Sequence, residues 1–224
     1  MDTTTHRPAS TITRALRADD SSVRLRAAMA AGSTPDQALV RILIERSAVE
    51  PDFFVRDMLT WALTRHPDEV TVPLLLHEAR DRTGRGRSQA LHTLSKIGDP
   101  RGWSAITRDL LLDPDEEVAG AAWRAAVVLV PESERRALVD VLATRLGRGE
   151  RDLQRSLSRA LAALGGAAEE AIAAASTHPD PDVRAHATAT RRLIDDPDAD
   201  VGAAVEEARR VHALGRPQSG EVEC

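Results

Sequence analysis

The residues best equipped to bind or react recur at fixed offsets from a repeated anchor. The stretch Val23-Arg24-Leu25-Arg26-Ala27-Ala28-Met29-Ala30-Ala31-Gly32 returns as Val55-Arg56-Asp57-Met58-Leu59-Thr60-Trp61-Ala62-Leu63. It returns again as Gly86-Arg87-Ser88-Gln89-Ala90-Leu91-His92-Thr93-Leu94, with fainter copies from Val118, Leu153 and Val183. Six positions after the successive anchors stand Met29, Trp61, His92, Arg124, Arg159 and Ala189; two positions after them stand Leu25, Asp57, Ser88, Gly120, Arg155 and Ala185. On a helix both offsets fall opposite the apolar stripe, so across neighbouring copies they would form rows on one accessible face. The candidate binding residues are therefore Asp57, Trp61, Ser88, His92, Arg124, Arg155 and Arg159. The main row passes from an indole through an imidazole to arginines. Trp and Arg are the side chains that most often dominate an interface, and the guanidinium fork matches a carboxylate.

The same chain lacks the spacing of a reaction centre. His77-Glu78 is a lone His-Glu pair, too few ligands for a metal. Cys224 is the only cysteine and the last residue, which excludes an internal disulfide, a cysteine-based zinc site and a buried catalytic thiol. No GxSxG, Walker-type loop or GxGxxG occurs. The run Arg82-Thr83-Gly84-Arg85-Gly86-Arg87 reads as a basic, flexible turn without the Lys-Ser/Thr ending of a nucleotide loop. The expectation is a protein without catalytic residues, cofactor or metal.

Composition limits what can position these residues. Apolar residues make up 42% of the 224, but aromatics only 2%, and Tyr is absent. A core of Ala, Leu and Val suits closely stacked helices better than a sandwich or barrel. The net charge of −5, with Lys96 the single lysine, disfavours a general nucleic-acid-coating role. The first eight residues have no apolar core for a signal peptide, and residues 119–130 are too short to span a bilayer and include Arg124. A soluble, cytoplasmic protein is expected.

In each copy, small or apolar residues follow the anchor at four, seven and eight positions, one face of a 3.6-residue helix. The anchors recur every ~30 to 35 residues, the length of one helix pair in a solenoid. Between copies lie outer-helix stripes and breakers such as Pro51-Asp52, Pro67-Asp68 and Asp113-Pro114-Asp115. Further cues predict Thr34-Pro35 opening an outer helix, another helix through Trp103 and Leu111, and Ser133 as a cap. Trp103 and Trp123 read as packing residues, and of Phe53-Phe54 one ring should be buried. The expected architecture is all-α: a right-handed α-solenoid of about six helix pairs across residues 10–214, closed by a capping helix over 201–214. Residues 1–9 are expected to form a flexible arm and 215–224 a disordered tail.

An Asp/Pro turn, then Val-Arg, then Ala at two further places resembles the HEAT repeat, in the short form also found in bilin lyases. The motif is strongest at Val23-Arg24, Val55-Arg56 and Val183-Arg184 and loses its Arg at Val118-Ala119 and Leu153-Gln154. The resemblance implies a structural ladder in which Arg24, Arg56, Arg87 and Arg184 join Asp20, Asp52, Asp81 and Asp182. It also implies a concave groove in which a scaffold holds a partner protein or peptide, here an acidic one. A second reading is a DNA-binding protein similar to the alkylpurine DNA glycosylases built of such repeats, with Trp61 and Asp57 one turn apart. A third is a bilin lyase-like factor, which would need a tetrapyrrole pocket that so few aromatics serve poorly.

Overall fold

In a computed structural model the described residues are 6–81, 84–196 and 205–206, and among them the secondary structure is entirely helical. The chain divides into two compact units, Met1–Leu129 and Val130–Cys224. The first holds α1 (His6–Ala15), α2 (Ser21–Ser33), α3 (Val40–Val49), α4 (Phe53–Thr64), α5 (Asp68–Asp81), α6 (Gly84–Ile97), α7 (Arg108–Leu111) and α8 (Glu116–Leu129). The second holds α9 (Arg135–Ala143), α10 (Arg151–Ala163), α11 (Gly166–Ala175) and α12 (Pro181–Asp195). The six sequence copies are the even-numbered helices. In the first unit α2 packs on α4, α4 on α6 and α6 on α8, with α1, α3, α5 and α7 packed against them. In the second, α10 packs on α12 and α9 on α11.

Two devices repeat at the start of the even-numbered helices. An Asp caps the exposed N–H groups: Asp20 accepts from Ser22 N at 2.7 Å, Asp52 from Phe54 N and Val55 N at 2.9 and 3.1 Å, and Asp180 from Asp182 N at 2.9 Å. The Arg after the anchor folds back onto the turn. Arg24 Nη1 donates to Ala18 O and Asp19 O at 2.8 and 2.6 Å, Arg56 Nη1 to Glu50 O and Pro51 O at 2.9 and 2.8 Å, and Arg184 Nη1 to His178 O and Pro179 O at 2.6 and 2.7 Å. Each guanidinium thus satisfies two turn carbonyls that the helix cannot reach. Where the Arg is lost, Gln154 Nε2 donates to Gly149 O at 3.0 Å and does part of the same work.

Of the acids expected in the Arg–Asp ladder, Asp20 and Asp52 accept from helix N–H groups instead, and the side chain of Asp81 lies outside the described residues. Arg24 and Arg87 reach across copies to acids two residues before a cap. Glu50 accepts Arg24 Nε and Nη2, both at 2.8 Å, and Arg87 meets Asp113 at 3.6 Å. Glu50 is fully buried and also accepts from Arg46 Nε at 2.8 Å and Asp52 N at 3.0 Å.

Several boundaries differ from the sequence expectation. Helix α1 begins at His6, so residues 6–9 of the expected arm are helical and the rest of it lies outside the described residues; Pro8 falls in a first turn, where its missing N–H costs nothing. Thr34 ends α2 rather than opening α3; its N–H bonds Ala30 O, and Asp36 caps a 3-10 turn before α3. The helix expected near Trp103 is split into a 3-10 turn, Pro100–Ala105, and the single-turn α7. Ser133 sits within a 3-10 turn that has no side-chain cap. Of the expected basic turn, Gly84, Arg85, Gly86 and Arg87 belong to α6, and Arg82 and Thr83 lie outside the described residues. The expected capping helix and tail lie outside the described residues, except for helical Val205 and Glu206; Val205 is buried with Ala189 and Leu193.

The core is built of Ala, Leu and Val, with one large exception in the first unit. Trp123 is fully buried and donates its indole N–H to Leu111 O at 2.8 Å, which fits the packing role expected for it. In the second unit His186 is the buried hub. Its Nδ1 accepts from Gly147 N at 3.0 Å, and Nε2 lies 3.0 Å from Gln154 O and 3.1 Å from Ser158 Oγ. A carbonyl can only accept, so the proton is on Nε2 and the ring is neutral.

Candidate functional site

The buried residues of α2, α4, α6 and α8 fix which side of each helix is left open. Helix α4 buries Val55, Leu59, Thr60, Ala62 and Leu63. At roughly 100° per residue this leaves Phe54, Asp57 and Trp61 at the centre of its outer side. Phe54 is 71% and Trp61 41% exposed, and Asp57 is exposed. The corresponding side of α2 carries Arg26 and Met29, that of α6 carries Arg85, His92 and Lys96, and that of α8 carries Glu117, Arg124 and Val128. Neighbouring helices of this series pack on one another, so these sides form a continuous face of the first unit.

Trp61 is seated by a glycine. A Cβ at Gly32 would lie 2.3 Å from the indole Cζ3 and 2.9 Å from Ala62 Cα. Gly32 therefore lets α2 approach α4 and gives the ring a flat floor. On the other flank, Gln89 Nε2 of α6 donates to Thr60 Oγ1 of α4 at 2.8 Å. Ser88 is buried and donates to Glu117 Oε1 of α8 at 3.3 Å; it ties two helices together and is not on the open face.

His92 is half-buried. Burial, then the charges of Lys96 and Arg124, hold its imidazolium below the ordinary histidine range, against an opposite pull from Asp57. Those influences gather Asp57, His92, Lys96 and Arg124 in one neighbourhood. Burial also lowers Arg124 from its usual value while Glu117 raises it, and a guanidinium remains cationic either way.

Of the seven residues singled out from sequence, Asp57, Trp61, His92 and Arg124 share this face. Arg155 and Arg159 belong to α10 in the second unit: Arg155 is half-buried and paired with Asp152, and Arg159 is exposed. In α12 the corresponding Ala185 and Ala189 are fully buried, so the row does not continue there.

Sequence reasoning missed the aromatic pair at the start of α4. Phe53 and Phe54 are both exposed, at 65% and 71%, which overturns the expectation that one would be buried. Their rings meet edge-on at 5.6 Å, and Arg56 lies over Phe53 at 6.0 Å. The readable signal was the spacing of Phe54, Met58 and Trp61, an i, i+4, i+7 stripe on the side away from the core.

Among the described residues no group of three or more His, Cys, Asp and Glu gathers as a metal site would require, and no helix is long and apolar enough to cross a membrane. Two hollows elsewhere pair their own charges: Arg87 meets Asp113 in one of about 340 Å³, and Arg136 meets Glu170 at 2.8 Å in an open one of about 660 Å³. No family model matches the chain, and a search of curated proteins returns no match.

Proposed function

We propose that the chain is a non-catalytic scaffold, a right-handed solenoid of HEAT-like repeats working in the cytoplasm, that holds a partner protein or peptide. The observation that carries this reading is the open face of α2, α4, α6 and α8, where Trp61, Phe54 and Met29 adjoin His92, Lys96 and Arg124. Exposed aromatic side chains next to arginine are the composition of an interface centre. The repeated caps and guanidinium clamps support the repeat reading, because each copy rebuilds the same turn. The test is a comparative pull-down with the wild-type chain and a Trp61→Ala, Arg124→Ala double variant. The variant is expected to lose the partners wild type retains while keeping its helical circular dichroism and melting temperature. Identical retention by both proteins would overturn the assignment of this face.

A DNA-binding reading keeps one point in its favour, since Trp61 and Asp57 share the open face. It predicts retardation of duplex DNA that weakens steeply with salt, and no retardation at low salt would remove it.

A further inference from the structure

Six large apolar side chains are exposed among the described residues, and all of them lie in the first unit. Five gather about one helix. Val49 closes α3 just before the turn into α4, and Phe53 and Phe54 open α4. Trp61 stands near the end of α4, and Met29 of α2 lies one turn before Gly32, on which the indole rests. From Phe53 to Trp61 the patch runs about 12 Å at 1.5 Å per residue, with the exposed Asp57 midway. The described part of the second unit, built from the same Ala, Leu and Val, exposes no large apolar side chain. The exposure is a property of this place and not of the composition.

Area decides the kind of occupant. With ~200 Å² to each ring, the exposed parts of Phe53, Phe54 and Trp61 come to roughly 350 Å². Met29, 47% exposed, and Val49, 64% exposed, add to this. One side of a standard interface buries about 800 Å², of which roughly 450–520 Å² is apolar. The patch therefore supplies most of the apolar share that a stable dimer needs from each copy. Phe53 and Phe54 also stand clear of the surface, a shape suited to another folded surface and not to enclosing a small molecule.

Charge leads to the same choice. The face has no common sign: Arg26 and Lys96 stand with Asp57, and Glu117 acts on Arg124. Such a face selects neither a strongly acidic nor a strongly basic partner. It can meet its own image about a two-fold axis, where one patch must serve both sides without setting like charge wholly on like. Aromatic rings also pair well with rings, edge-on as Phe53 and Phe54 already do. We propose that this patch is the self-association surface of the chain, and that the partner it holds is a second copy in a two-fold dimer. This rests on the scaffold reading and names the partner for the α4 part of that face.

The test is analytical ultracentrifugation of the full-length protein across a concentration series. A species of twice the chain mass is expected to grow with concentration. A Phe53→Ser, Phe54→Ser double variant, at two exposed positions, should raise the dissociation constant at least ~30-fold, and Trp61→Ala by about as much, the loss typical of a hot-spot residue. Val128→Ser, exposed on α8 and away from α4, should leave the constant unchanged. Added salt should move it little, because no charge pair carries the contact. Circular dichroism and melting of each variant separate lost association from lost fold. A wild-type chain that stays monomeric throughout, or a dimer indifferent to the two phenylalanines, would overturn the inference. The scaffold reading would still stand if the Trp61→Ala, Arg124→Ala variant then lost partners from a pull-down, since those partners would be other proteins. A monomer whose retained proteins do not change with that variant would overturn both.

Discussion

Glu50 shows how much one buried carboxylate can be asked to hold. Burial alone would raise its pKa, yet hydrogen bonds from Arg24, the Asp52 amide and Arg46 bring it down to about 2 from 4.5. A depressed carboxylate contributes stability that is fully present above its unfolded value and is lost as pH falls toward the folded one. Acid should therefore weaken the first unit between about pH 4.5 and 2, read by chemical denaturation at stepped pH. Glu50→Gln should cost about 3–5 kcal/mol at neutral pH, because it strands two guanidinium groups in a site where Glu50 was fully buried. It should also flatten that acid limb. At His92 the direction is reversed in use. Its proton is held off first by burial and then by Lys96 and Arg124, so an NMR titration should place its midpoint below 6.5. Arg124→Ala should move that midpoint upward by removing both a repelling charge and some cover.

At the scale of the element, α2, α4, α8 and α12 are each started by an Asp that accepts from the first amides, and α2, α4 and α12 add a backward-folded Arg. Asp52 satisfies two amides where Asp180 satisfies one, so Asp52→Ala should lose about 1–2 kcal/mol and Asp180→Ala toward the lower end of that range. Thermal melts of the two variants check the order. The helices themselves were legible because the apolar stripe needs only a period and a breaker. What the Arg does was not legible. The turn Asp is four residues before it in sequence, close enough to suggest an ion pair, but that carboxylate is already bound to helix amides. The Nη1 of Arg24, Arg56 and Arg184 turns instead to main-chain carbonyls, which carry no side-chain signature. Phe53 and Phe54 misled for a related reason: an aromatic pair in a chain so poor in rings reads as core, and only the angle of Val55 and Leu59 shows where the core lies.

For the whole molecule, the division at Leu129 and Val130 gives each unit a buried polar keystone of its own, Glu50 in one and His186 in the other. Repeat proteins transmit stability between neighbours rather than globally. Hydrogen exchange of Glu50→Gln should accordingly accelerate amides in residues 6–129 while those in 130–196 keep their protection. Uniform acceleration of both would mean that the chain unfolds as one block. Four of the seven expected binding residues came together because the helical offset held from α4 to α8. Ser88 departed because a small side chain at that offset can sink between two helices. Arg155 and Arg159 are in the other unit, a break that no period in the sequence announces.

Gly32 touches no conceivable guest, yet a hydrogen atom in place of a methyl there decides how the indole of Trp61 is presented. Under the proposed scaffold role, natural or laboratory variation in recognition would thus be written at a position that touches no partner. Tuning the backrest of a chair changes the sitter as surely as changing the seat.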